Sequence, residues 1–139
     1  MNWLGYALLS ALAAGLTAIL AKLSVEDIPP NLATAVRTVF ILVFAWLFAY
    51  ARGEVRGLNT ISPRGALFLA LSAAATAISW LAYFKALQLA PASRVAPIDK
   101  LSLPITIALA YLVLGEPLSV RVLLGAALMV TGAVLTVPP

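Results

Sequence analysis

The 139-residue chain contains no cysteine and no histidine. Without cysteine there is no disulfide framework, no thiolate nucleophile and no sulfur metal site. Without histidine the commonest general base, metal ligand and neutral-pH switch are gone. No serine sits in a nucleophile-elbow or lysine-dyad pattern, so enzymatic chemistry is not expected. No cofactor or bound metal is expected either. Charge is also scarce, at 10% of residues, where a soluble domain carries about 25% to cover its surface. The chain cannot cover itself with polar groups, and lipid is its expected solvent.

Hydrophobic residues make up 63% of the chain, with a mean hydropathy of +1.06. The net charge of +4 is scattered over segment ends, as the positive-inside rule distributes it, and does not read as a nucleic-acid surface. A bilayer core of about 30 Å needs roughly 20 mainly apolar residues in a helix. Nothing alternates like the strands of a barrel. The expected fold is therefore an all-α integral membrane protein, one domain with five transmembrane helices over about 2–23, 31–50, 64–89, 95–114 and 120–137. The first apolar run lacks a basic leading segment and extends to Lys22, longer than the core of a signal peptide, so it reads as a span. "SVEDIPP" closes it, and Ser62-Pro63 fits the cap and first turn of the third span. The fourth span is the weakest: a loop over Arg94–Ser102 would leave Leu103–Leu114 too short to cross. With five spans the termini lie on opposite sides. Arg52, Arg56, Arg64 and Arg121 then face Lys22, Lys85 and Arg94 across the membrane. So small a bias suits insertion in both orientations as well as in one.

Polar residues inside the spans fall into stripes. In the third span Ser72, Thr76, Ser79 and Tyr83 are spaced four, three and four apart and share one helical face, with Trp80 and Gln88 near its edge. In the second, Asn31, Thr34 and Thr38 share a face beside Arg37, which either points inward toward an anion or carbonyls or snorkels to the headgroups. In the fourth, Asp99, Ser102 and Thr106 fall at i, i+3 and i+7, with Lys100 turned about 100° away. Pro104 has no N–H for the carbonyl of Lys100, and Pro97 has none for that of Ser93. This segment thus combines ionised groups with open carbonyls, an arrangement tolerated at membrane depth where it is buried in protein or lines a cavity. Each stripe also has a structural explanation: hydroxyls bonded back to their own helices, and a structural ion pair at Asp99–Lys100. Together they describe the lining of a pathway for a polar solute, with Asp99, Lys100, Ser102, Thr106, Arg37, Thr34, Thr76, Ser79, Trp80 and Tyr83 as its candidate residues.

The stretches "LATAVRTVF", "ALQLAPASRVAPIDKLSLPITIALAYLVLGEPLS" and "LLGAALMVTGAVLTV" resemble the EamA domain of the drug/metabolite transporter superfamily, and the resemblance runs from Trp3 to Val137. Many members carry two such domains in tandem; this chain resembles the short, single-domain form. The resemblance implies a carrier of small metabolites or drug-like solutes working by alternating access in a prokaryotic plasma membrane. Because one unit supplies half a cavity, it also implies a homodimer of inverted units. Related four-span exporters couple to protons through a glutamate in the first span, where this chain has Ala13, Ala14 and Gly15. Proton coupling would have to use Asp99, while Glu116 matches the family's Leu-Gly-Glu position at a helix end. Two alternatives remain at this point. One is a non-transporting membrane subunit of a larger complex. The other is a lipid-linked-sugar flippase subunit, with Arg37 meeting a prenyl phosphate.

Overall fold

A computed structural model describes residues 2–137, and every described regular element is a helix. The helices are α1 (Trp3–Ser24), α2 (Pro30–Ala51), α3 (Pro63–Leu89), α4 (Ala92–Asp99), α5 (Ser102–Leu109) and α6 (Val120–Leu135). A 3₁₀ segment, Glu54–Thr60, joins α2 to α3, and α5 runs on into a π-helical turn, Ala110–Leu114.

Four stretches are long and apolar enough to cross a bilayer: Trp3–Ser24, Pro30–Ala51, Pro63–Leu89 and Ala92–Leu114. The last combines α4, α5 and the π turn, and begins three residues before the expected Val95. The 16-residue α6 is also apolar. At 1.5 Å per residue it spans only about 24 Å, short of the roughly 30 Å hydrocarbon core. Helix α6 ends at Leu135 because Thr136 and Val137 already turn, their N–H groups reaching the carbonyls of Ala133 and Val134.

The helix ends follow from local chemistry. Ser62 caps α3, its Oγ accepting the N–H of Gly65 at 3.1 Å, and Pro63 takes the first turn, where no N–H is needed. Ser119 caps α6 in the same way through Val122 at 3.3 Å. The π turn stops at Gly115, whose φ of 70° favours glycine. The N–H groups of Gly115 and Glu116 both converge on the carbonyl of Ala110.

The chain divides into two compact units. Unit 1 is Met1–Leu20 with Leu89–Pro139, and unit 2 is Ala21–Gln88. In unit 1, α6 packs on α4 and α5. In unit 2, α2 and α3 form an antiparallel hairpin through the 3₁₀ connection. Arg37, 14 residues before the end of α2, meets Trp80, 17 residues after the start of α3. The buried residues of this unit are Ala21, Val25, Pro30, Ala33, Thr34, Phe84 and Leu87. They come from the end of α1 and the turn after it, the first turns of α2 and the last turns of α3, so the core lies at one end of the hairpin. Elsewhere large apolar side chains such as Phe40, Phe44, Phe68 and Leu71 are exposed, as helices facing lipid present them.

Candidate functional site

Along the hairpin of unit 2 runs a groove of about 790 Å³. Asn31, Thr34, Ala35, Thr38, Ile41, Leu42 and Ala45 form one wall; Leu69, Ser72, Ala73, Thr76, Ala77, Trp80 and Leu81 form the other. The small side chains leave the space, and the hydroxyls make it more polar than a surface facing only lipid. The structure therefore brings Thr34, Thr76 and Trp80 together along one groove. Ser79 and Tyr83 are not among its lining residues, although they share the stripe of Ser72 and Thr76. The groove face of α3 is made of positions 69, 72, 73, 76, 77, 80 and 81. Ser79 lies just outside the edge marked by Ser72, and Tyr83 lies beyond Leu81, past the last lining residue of α3.

The hydroxyls divide into two kinds. Thr34 Oγ1 donates to the carbonyl of Pro30 at 2.9 Å, Thr38 to that of Thr34 at 2.8 Å and Thr76 to that of Ser72 at 2.9 Å. Their protons are committed to their own helices, so toward the groove these threonines present lone pairs and act as acceptors. Ser72 and Asn31 have no side-chain partner among the described residues and keep both donor and acceptor capacity. Thr106, in unit 1, likewise donates to the carbonyl of Ser102 at 2.8 Å.

Arg37 sits seven residues into α2, about 10 Å along the helix from Pro30. Its guanidinium lies over the Trp80 ring, 4.2 Å from the centroid, and 5.7 Å from that of Phe84. It is half-buried and, among the described residues, has no hydrogen-bond acceptor and no carboxylate partner. Cation–π contacts contribute about 0.5–2 kcal/mol each. An arginine near the middle of a membrane helix costs about 2.5–3.5 kcal/mol, less toward the interface. The two rings offset much of that cost, yet leave the in-plane N–H fork unused.

Asp99 and Lys100 belong to unit 1 and form an ion pair with each other, Lys100 Nζ to Asp99 Oδ2 at 3.1 Å. Lys100 keeps a right-handed helical backbone (φ −70°, ψ −5°), so the two side chains leave the chain in different directions and the long lysine reaches back to its neighbour. One expectation changes here. The carbonyl of Lys100 is not left open by Pro104, because α4 ends at Asp99, the chain turns through Lys100 and Leu101, and that carbonyl accepts the N–H of Leu103 at 3.0 Å. The tightened turn recovers an acceptor that an unbroken α-helix would have lost. The pair is partly exposed, with the two side chains 54% and 32% accessible.

One well-defined interaction was invisible in the stripes. Lys22 Nζ donates to the carbonyl of Leu87 at 2.6 Å. Four residues after Leu87 stands Pro91, which has no N–H to offer that carbonyl. The proline was the available signal, but no sequence rule says which distant lysine answers it.

Apolar helices of membrane-spanning length and a partly polar groove between two of them define an integral membrane protein suited to moving solutes. The chain belongs to the EamA-like transporter family, whose pattern matches residues 1–137. It is 46% identical over 134 residues to a Sinorhizobium sp. protein described as an "uncharacterized transporter in cobO 3'region", covering 96% of this chain and 95% of that one. No solved structure matches the chain. The protein is accordingly a membrane transporter.

Proposed function

We propose that the protein is a secondary carrier of small metabolites or drug-like solutes, working by alternating access as a homodimer of five-span units in antiparallel arrangement. The observation that carries this reading is the groove of unit 2, whose hydroxyls and small residues lie on two helices long enough to span the membrane. A solute needs such a surface, and a helix that only packs against lipid does not. The dimer is supported by how little each span buries: at most 11% of the residues in any of the four span windows are buried within the chain. Helix α6 serves as the fifth span; its shortfall of a few ångström is a mismatch that a bilayer takes up by local thinning.

In this reading Arg37, Thr34, Thr76 and Trp80 form one side of the pathway. Ser79 and Tyr83 add polar groups to it; in unit 1, Ser102 and Thr106 are pathway residues in their own right, and Asp99, held by Lys100, is the proton-coupling site. Asp99→Asn and Lys100→Ala are each expected to abolish flux in proteoliposomes loaded with a mixed pool of labelled metabolites, while inserting normally. Normal flux by both variants would remove that site from the mechanism. Purification as a stable self-dimer, with cysteines placed at either terminus labelled from both sides of intact cells, is expected of the antiparallel carrier. Consistent recovery with a different protein would instead make the chain a subunit of a larger complex.

A further inference from the structure

We infer that Arg37, stacked on Trp80 and Phe84 beside the groove of unit 2, binds the oxyanion group of an amphipathic ligand whose apolar body lies along the α2–α3 groove. The inference rests on the carrier reading for its biological setting, but its physical basis is separate.

The guanidinium is held over the Trp80 ring at 4.2 Å and near Phe84 at 5.7 Å. Rings take up the face of a guanidinium, whereas all five of its N–H donors lie in its plane. Contact with the two rings therefore restrains the guanidinium without supplying an acceptor, and a face-on arrangement would leave every donor of the fork open. Among the described residues no acceptor meets those donors, so the fork remains available for a carboxylate or phosphate, the groups whose spacing it matches. Asp99, the acid nearest the middle of an apolar segment, is already paired with Lys100.

The groove completes the ligand's description. At the Arg37 level it carries Thr34 and Thr38, whose committed hydroxyls present only lone pairs. Those lone pairs repel an anion, which leaves the fork as its charged partner, with Asn31 and Ser72 as the neutral donors of the groove and the groove beyond Arg37 for the rest of the molecule. Away from Arg37 the walls become mainly aliphatic, including Ile41, Leu42 and Leu69. The volume of about 790 Å³ lies within the range of roughly 300–1,000 Å³ typical of small-molecule sites. The same chemistry is found in a soluble organic anion and in the phosphate of a lipid headgroup.

The test uses the full-length protein with Trp3→Phe and Trp46→Phe, leaving Trp80 as the single tryptophan reporter. Trp3 and Trp46 are exposed, so their replacement leaves the packing around Arg37 in place. In dodecyl maltoside, which has no oxyanion, Trp80 emission is titrated at constant ionic strength with 3-phenylpropionate, phenyl phosphate, dihexanoyl phosphatidylglycerol and phenethylammonium. Saturable quenching by either aromatic anion but not by the ammonium supports a solute site. The same response confined to the phosphatidylglycerol supports the site and assigns it to lipid. Arg37→Gln is expected to weaken the response about ten- to a hundredfold, and Arg37→Lys to restore part of it. Equal response to the ammonium, no saturable anion response, or unchanged affinity in Arg37→Gln would overturn the inference. The anion-against-cation comparison needs no Arg37 variant and stands even if that substitution unfolds the protein. Binding without flux in proteoliposomes would count against the carrier alone; flux with no anion response would count against this site alone.

Discussion

Lys22 ties the end of α1 to the last turn of α3, and its removal has a stability cost that the geometry defines. Its ammonium donates to the carbonyl of Leu87 at 2.6 Å, and Leu87 is fully buried. That carbonyl lies in the last turn of α3, and its normal i+4 donor would be Pro91, which has none. A hydrogen bond with a charged partner contributes about 1.5–3 kcal/mol. A cation at a helix C-terminus adds about 0.3–1 kcal/mol. Replacing Lys22 by Met keeps most of the aliphatic stem and removes the donor. We expect Lys22→Met to lower stability by about 2–4 kcal/mol on these two terms. The assay is reversible unfolding in mixed micelles, titrated with sodium dodecyl sulfate and followed by far-ultraviolet circular dichroism. Lys22→Arg should recover at least half of the loss, since it restores a cationic donor of similar reach. A Lys22→Met variant within 0.5 kcal/mol of the parent, roughly the scatter of surface substitutions, would refute the reasoning. It would mean that interfacial water or another donor satisfies the Leu87 carbonyl equally well.

Three further outcomes follow from the geometry. Ser62→Ala removes the cap of α3 and should cost about 0.5–2 kcal/mol in the same titration. Gly115→Ala forces a side chain into a left-handed turn at φ 70° and should destabilise by about 1–2 kcal/mol, although nothing stands within 4 Å of the added carbon. Neutralising Asp99 and Lys100 together should change stability by no more than about 1 kcal/mol, because partly exposed pairs contribute little. A large loss in that double variant would make the pair structural and count against Asp99 as a coupling site.

Much of the architecture was legible because lipid imposes a simple rule. A helix must be long and apolar to cross, and Trp3–Ser24, Pro30–Ala51 and Pro63–Leu89 fall within a residue or two of the expected ranges. Ser62-Pro63 was readable for a similarly local reason: a cap depends on atoms three residues away. The fourth segment was harder, because two prolines in one apolar run can be absorbed in several ways. The turn at Lys100–Leu101 chose one of them, pairing Lys100 with Asp99 and handing its carbonyl to Leu103. Helical spacing could group Ser72, Thr76, Ser79 and Tyr83, but it could not show that the groove takes in the first two and leaves the last two outside.

The sequence by itself determined that this chain lives in a membrane, is helical, and carries polar groups at helical spacing within apolar segments. Hydropathy, period and capping are properties of neighbours along the chain, and the chain is all they need. Only the tertiary structure decided what those polar groups do. It stacked Arg37 on Trp80, spent the threonine hydroxyls on their own helices, and sent Lys22 to a carbonyl 65 residues away. Each of these depends on which helix faces are turned toward each other. In a chain this uniformly apolar, hydrophobicity does not select those faces; close packing and the need to satisfy each polar atom do.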